Sequence, residues 1–124
     1  MSNINFFDDS GQVPKPRDEV KIEAVEVIPY PDRFRIYIHI NVTPFQERPN
    51  LILTAYNEDD KIVSELSIIE TMHNDMEFTM HLRDIDDPTG VYTMQVDLFY
   101  ESKNPPHDRH VEAFEIPEAE DEAE

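Results

Sequence analysis

Apolar side chains recur at every second position along six successive stretches of this chain, and that period admits few folds. The sets are Val20, Ile22 and Ala24; Phe34, Ile36, Ile38, Ile40 and Val42; Leu51, Leu53 and Ala55; Ile62, Leu66 and Ile68; Met76, Phe78, Met80 and Leu82; and Tyr92, Met94, Val96, Leu98 and Tyr100. Successive side chains of a strand point to opposite faces, so this alternation predicts strands that each bury one face. A seventh stretch, His110 to Ile116, is less regular because Val111 points opposite to Phe114 and Ile116, and a bulge is expected there. A second bulge is expected in the first strand, where the inward positions shift from Ala24 to Val25 and Val27. No stretch carries the 3.6-residue apolar stripe of a helix.

Turn chemistry separates the stretches: Pro29-Tyr30-Pro31-Asp32, Pro44 to Pro49, Asn57 to Asp60, Glu70 to Asp75, Asp84 to Gly90, and Glu101 to Arg109. At 124 residues the chain has room for one two-layer core and not for two. The body therefore runs from 19 to 116. Residues 1–18, broken by Gly11, Pro14 and Pro16, and the acidic residues 117–124 lack a patterned apolar face and are expected to be mobile.

One short stretch narrows the architecture further. Asp87-Pro88-Thr89-Gly90-Val91-Tyr92 places a glycine turn and then a tyrosine at the start of the sixth strand. It resembles the tyrosine corner of immunoglobulin-like sandwiches, in which the phenol packs inward and its hydroxyl bonds back to the preceding backbone. The resemblance implies an all-β, seven-stranded antiparallel immunoglobulin-like sandwich. The tight Asn57 to Asp60 connection points to the fibronectin type III arrangement, in which the third and fourth strands form a hairpin. The buried tryptophan and the cysteine pair of antibody domains have no counterpart, since the chain contains neither residue.

Composition excludes more functions than it suggests. Without cysteine there is no disulfide framework, thiolate metal site or cysteine nucleophile. A net charge of -18 repels phosphate backbones and anionic membrane surfaces, so neither nucleic acid nor membrane is expected as a partner. Residues Met1 to Asp9 have no basic and apolar leader, and no apolar run reaches membrane-spanning length, so a cytoplasmic protein is expected. With only Gly11 and Gly90, neither a glycine-rich phosphate loop nor a nucleophile elbow can be written; no catalytic residue and no cofactor is assigned.

Alternating strand direction gathers alternate loops at opposite ends of such a sandwich. One end, the acidic pole, collects Asp32, Glu58, Asp59, Asp60, Asp84, Asp86 and Asp87. The other, the loop pole, collects residues 44–49, 70–75 and 101–109, which mix apolar, amide and basic groups as loop-borne recognition does. Partner contact is expected through Phe45, Arg48, Met72, His73, Lys103, His107 and Arg109, in a non-enzymatic protein-interaction domain that is a monomer or weak homodimer. The N-terminal Ile4-Asn5-Phe6-Phe7-Asp8-Asp9 offers a further segment that can dock in a groove or pack back on its own domain. Two other readings compete. An acidic chaperone-like or charge-mimicking protein would hold basic clients at the acidic pole. A metal-binding sandwich would use Asp84, Asp86 and Asp87 with Asp59 or Asp60 for calcium, or His39 and His81 with Glu77 or Glu23 for zinc. Aspartates are also ordinary turn formers and histidines ordinary residues of a polar sheet face, so no metal ligand is assigned.

Overall fold

The structure, a computed structural model, describes residues 13–119. The aromatic stretch Ile4 to Asp9 and the tail residues 120–124 lie outside the described residues.

The alternating stretches form seven strands: β1 (Ile22–Pro29), β2 (Arg35–Val42), β3 (Asn50–Tyr56), β4 (Ile62–Ile68), β5 (Asp75–His81), β6 (Gly90–Phe99) and β7 (Asp108–Ile116). They make two antiparallel sheets, one ordered β1-β2-β5 and the other β4-β3-β6-β7. A single 3-10 turn at Arg17–Glu19 is the described helical content. Strands three and four pair as a hairpin, as the short Asn57–Asp60 connection predicts.

The core lies between the sheets and is built from the inward set of the alternation. Ile36, Ile38, Ile40 and Val42 of β2 face Leu51, Leu53 and Ala55 of β3 and Met94, Val96 and Leu98 of β6, all fully buried. Each large aliphatic side chain among them contributes about 1.5–3 kcal/mol relative to exposure, which is why a strict period of two suffices to hold the layers together. The open edges are tied across the sandwich. At one side the Ile22 amide donates to Asp108 Oδ2 at 2.8 Å, and at the other Ser64 Oγ donates to the His81 carbonyl at 3.0 Å.

Four expectations need correction. The first-strand bulge is present but falls at Glu23, between the Ile22↔Val42 and Ala24↔Asn41 pairs. It turns Ala24 outward and brings Val25 and Val27 onto the core. The bulge expected in β7 is absent: its pairing with β6 runs without a shift from Gly90↔Ile116 to Leu98↔Asp108, so Val111 simply faces outward. An unpredicted bulge at Val63 instead breaks the hairpin register between Ala55↔Ser64 and Tyr56↔Ile62, turning Val63 inward and leaving Ile62 exposed. Finally, the described part of the N-terminal segment is docked. Lys15 bridges Phe45 in parallel, its amide donating to the Pro44 carbonyl at 2.9 Å, and Arg17 reaches Glu47.

The tyrosine corner is in place. Tyr92 is buried, stacks on Phe114 with ring centroids 5.4 Å apart, and donates its hydroxyl to the Pro88 carbonyl at 2.7 Å.

Candidate functional site

At the loop pole, the docked segment 13–19 meets the β2–β3 and β6–β7 loops around Arg17. Its guanidinium reaches Glu47 through Nε at 2.8 Å and Nη2 at 3.3 Å, and Glu101 through Nη1 at 3.4 Å. It also lies 4.6 Å above the ring of Tyr100, where the negative π face favours a cation. The Tyr100 hydroxyl donates to the Glu47 carbonyl at 3.3 Å, and the His107 ring meets the Tyr100 ring edge-on at 5.6 Å. Hydrogen bonding to Arg17 holds the Glu47 carboxyl below its usual range, while burial and then the Glu47 charge push the Tyr100 phenol up. Arg48, Asn50 and Glu70 complete a shallow depression of about 370 Å³ over this cluster.

The seven residues expected to touch a partner divide into two groups. Arg48, His73, Lys103 and His107 are exposed on the loops of this pole, and Met72 exposes 64% of its surface. The β4–β5 loop that carries Met72 is pinned from below, the Thr71 amide donating to the Pro49 carbonyl and the Glu70 amide to Asn50 Oδ1. Phe45 and Arg109 also make contacts within the domain. Phe45 packs against the core. Arg109 sits in β7 on the outer face of the four-stranded sheet, where its Nε and Nη2 clasp Asp97 at 2.7 and 3.0 Å. Arg109 thus lies on a strand and not in the β6–β7 loop where it was expected, and both side chains are engaged within the domain. Arg17, Tyr100 and Glu101 were not among the expected residues. Nothing in the proline-flanked Pro14-Lys15-Pro16-Arg17 stretch announces that it folds back 30 positions onto Glu47.

The acidic pole is organised around a cation. Arg33 donates to Asp87 Oδ1 at 3.2 Å, Thr89 Oγ1 at 2.5 Å and the Pro117 carbonyl at 2.9 Å. Asp87 also caps the Thr89 amide and accepts from its hydroxyl, and these bonds lower its pKa. Among the described residues no three acidic, histidine or cysteine side chains converge as metal ligands, which removes the calcium geometry considered for Asp59, Asp60, Asp84, Asp86 and Asp87. The zinc geometry fails on register: His39 lies opposite Glu77, whereas His81 lies opposite Arg35 at the far end of the same pairing. His39 instead bonds Asp75 at 2.5 Å, with Glu26 3.7 Å from its other nitrogen.

No protein-family model and no curated protein matches the chain. Solved structures do. A glycosyl hydrolase family 2 member from Bacteroides cellulosilyticus is 9% identical, with a TM-score of 0.54 over 78% of this chain and 15% of that one. The Bifidobacterium dentium beta-glucuronidase, solved with coumarin-3-O-glucuronide, is 13% identical with a TM-score of 0.54, over 78% of this chain and 18% of that one. The chain thus spans under a fifth of these proteins, and at such identity the likeness is one of fold. Among the described residues no helix is long and apolar enough to cross a membrane.

Proposed function

We propose that this chain is an immunoglobulin-like sandwich of the fibronectin type III arrangement that binds a protein partner through its loop pole and catalyses no reaction. The strand orders and the Tyr92 corner support the architectural part. Similarity to less than a fifth of two glycosyl hydrolases fits a module that is one building block of larger assemblies. The functional part rests on the convergence of three chain segments on Arg17 and Tyr100, beside a β4–β5 loop pinned to Pro49 and Asn50. These contacts stiffen the loops that carry Arg48, Met72 and His107, while these three side chains still face solvent. A preorganised surface loses little entropy on binding, and exposed methionine beside arginine supplies apolar contact and directed charge together.

The test is capture from native cell extract by the full chain and by the variant Arg48→Glu, Met72→Ala, Lys103→Glu. The three positions are exposed, so thermal unfolding should be unchanged within about 0.5 kcal/mol while the captured partner is lost. Retention of the partner by this variant, with loss when Glu58, Asp59 and Asp84 are neutralised or when salt is raised, would transfer the function to the acidic pole and its basic clients.

A further inference from the structure

The two outer faces of the sandwich differ in charge. Outside the three-stranded sheet stand Glu26, Arg35, His39, Asp75 and Glu77. Outside the four-stranded sheet, the register sets Ile52, Thr54 and Tyr56 of β3 beside Asp97, Gln95 and Thr93 of β6, with Val111 and Ala113 of β7 next to Gln95 and Thr93. Along these three strands the outward charges are Asp97, Arg109 and Glu115, and the first two neutralise each other; the edge strand β4 adds Glu65 opposite Thr54. Asp97 is only 8% exposed and Thr54 4%, although both belong to the outward set, while Val91 and Val111 remain 45% and 55% exposed. A chain with 28 acids thus keeps the middle of one broad sheet face nearly free of net charge and partly apolar.

We propose that a second copy of this chain covers this face, in a two-fold dimer whose strands run antiparallel to those of the first copy. Charge selects the second copy's orientation. With the two-fold axis lying across the strands, the acidic end of each face, carrying Glu58 and Glu115, lies over the partner copy's opposite end, where Asp97 neutralises Arg109 and Lys103 offsets Glu101. An axis along the strands would stack acidic pole on acidic pole. At a net charge of -18, this face is also where two copies meet with least repulsion. Size sets the strength. Four strands about 4.8 Å apart and about seven residues long present a plane of roughly 440 Å². Standard interfaces bury about 800 Å² of accessible surface per partner, so this contact falls at the small, readily reversible end. A two-fold interface pairs the same patch on both subunits, which puts the central Thr54–Gln95 pair against its own counterpart.

Sedimentation velocity of the full chain, from about 5 to about 500 µM, should show a monomer–dimer equilibrium. Val91→Glu and Val111→Glu, at exposed positions that leave thermal unfolding unchanged, should each weaken it about tenfold or more. Because the chain has no cysteine, a single introduced thiol reports contact directly: Gln95→Cys should give a covalent dimer on mild oxidation, and Thr79→Cys on the opposite sheet should not. A monomer at every concentration, which would leave the face to a different protein, overturns the proposal. So does a dimer indifferent to both valine substitutions, or one cross-linked by Thr79→Cys and not by Gln95→Cys.

Discussion

Single hydroxyls and charges differ in worth here according to what surrounds them. Tyr92 donates into a buried corner, so Tyr92→Phe leaves the Pro88 carbonyl unpaired and should cost about 1–3 kcal/mol. Tyr37 donates to Glu77 on the solvent side of its sheet, and Tyr37→Phe should shift stability by less than about 0.5 kcal/mol in denaturant titrations. Equal shifts would misplace the corner. Arg109 and Arg48 make a parallel contrast. Removing Arg109 strands the nearly buried Asp97 carboxylate, so Arg109→Ala should destabilise by about 1–3 kcal/mol, whereas Arg48→Ala should be silent. His39 carries the pH dependence of its sheet. The hydrogen bond to Asp75, helped by the charges of Asp75, Glu77 and Glu26, raises its pKa above the usual value. A raised folded pKa means stability that is fully present below the unfolded value, about 6.5, and lost as pH rises through the folded one. The stability difference between the wild type and His39→Gln should therefore shrink on going up from pH 6, and an NMR titration of the ring should place its midpoint above that of a free histidine. A midpoint at or below the free value would remove the effect.

At the scale of elements, turns set the register that the strands then exploit. The β3–β4 connection is wound around Asn57, whose Oδ1 accepts from the Asp59 and Lys61 amides while its own amide donates to the Lys61 carbonyl. The turn closes by placing Asp60 at φ 61°, a left-handed conformation that costs an ordinary residue about 1–2 kcal/mol and glycine little. Asp60→Gly should accordingly raise the denaturant midpoint or leave it unchanged despite the added chain entropy, while Asn57→Ala should lower stability by about 1 kcal/mol. Gly90 opens β6 at φ 148° with open space where a Cβ would stand, so Gly90→Ala tests backbone strain alone. The Glu23 and Val63 bulges act in the same way on the edge strands β1 and β4, each moving the inward set by one residue and adding local twist.

For the whole molecule, a net charge of -18 sets its acids in repulsion with one another. Asp59, Asp60 and Asp86 stand exposed at one pole, whereas Asp87 is committed to Arg33 and Thr89. Neutralising the first three to asparagine should stabilise the fold at low salt, by an amount that fades as the Debye length contracts to about 3 Å near 1 M salt. Adding Asp87→Asn should reverse part of the gain, because Arg33 would lose a charged partner. Thermal melts of the triple and quadruple variants across a salt series read both effects, and a gain independent of salt would show that repulsion is not its source.

The alternation of apolar residues by itself determined that the chain is a seven-stranded, two-layer protein, because burial of one strand face needs a period of two and nothing else in the chain competes with it. Gly90 and Tyr92 likewise located the corner, since the hydroxyl's partner lies only four residues away and local chemistry suffices to make that contact. The poles followed from counting strand reversals. What tertiary structure alone decided are the contacts between residues far apart in sequence. Arg17 reaches Glu47 and Tyr100 by folding a proline-flanked segment over a loop, and Asp97 takes Arg109 across a strand pair. His39 parts from His81 because register places them four pairs apart. Each depends on an alignment between strands or segments that a period of two leaves free to slide, so pattern reveals which face a residue occupies and packing decides whom it meets.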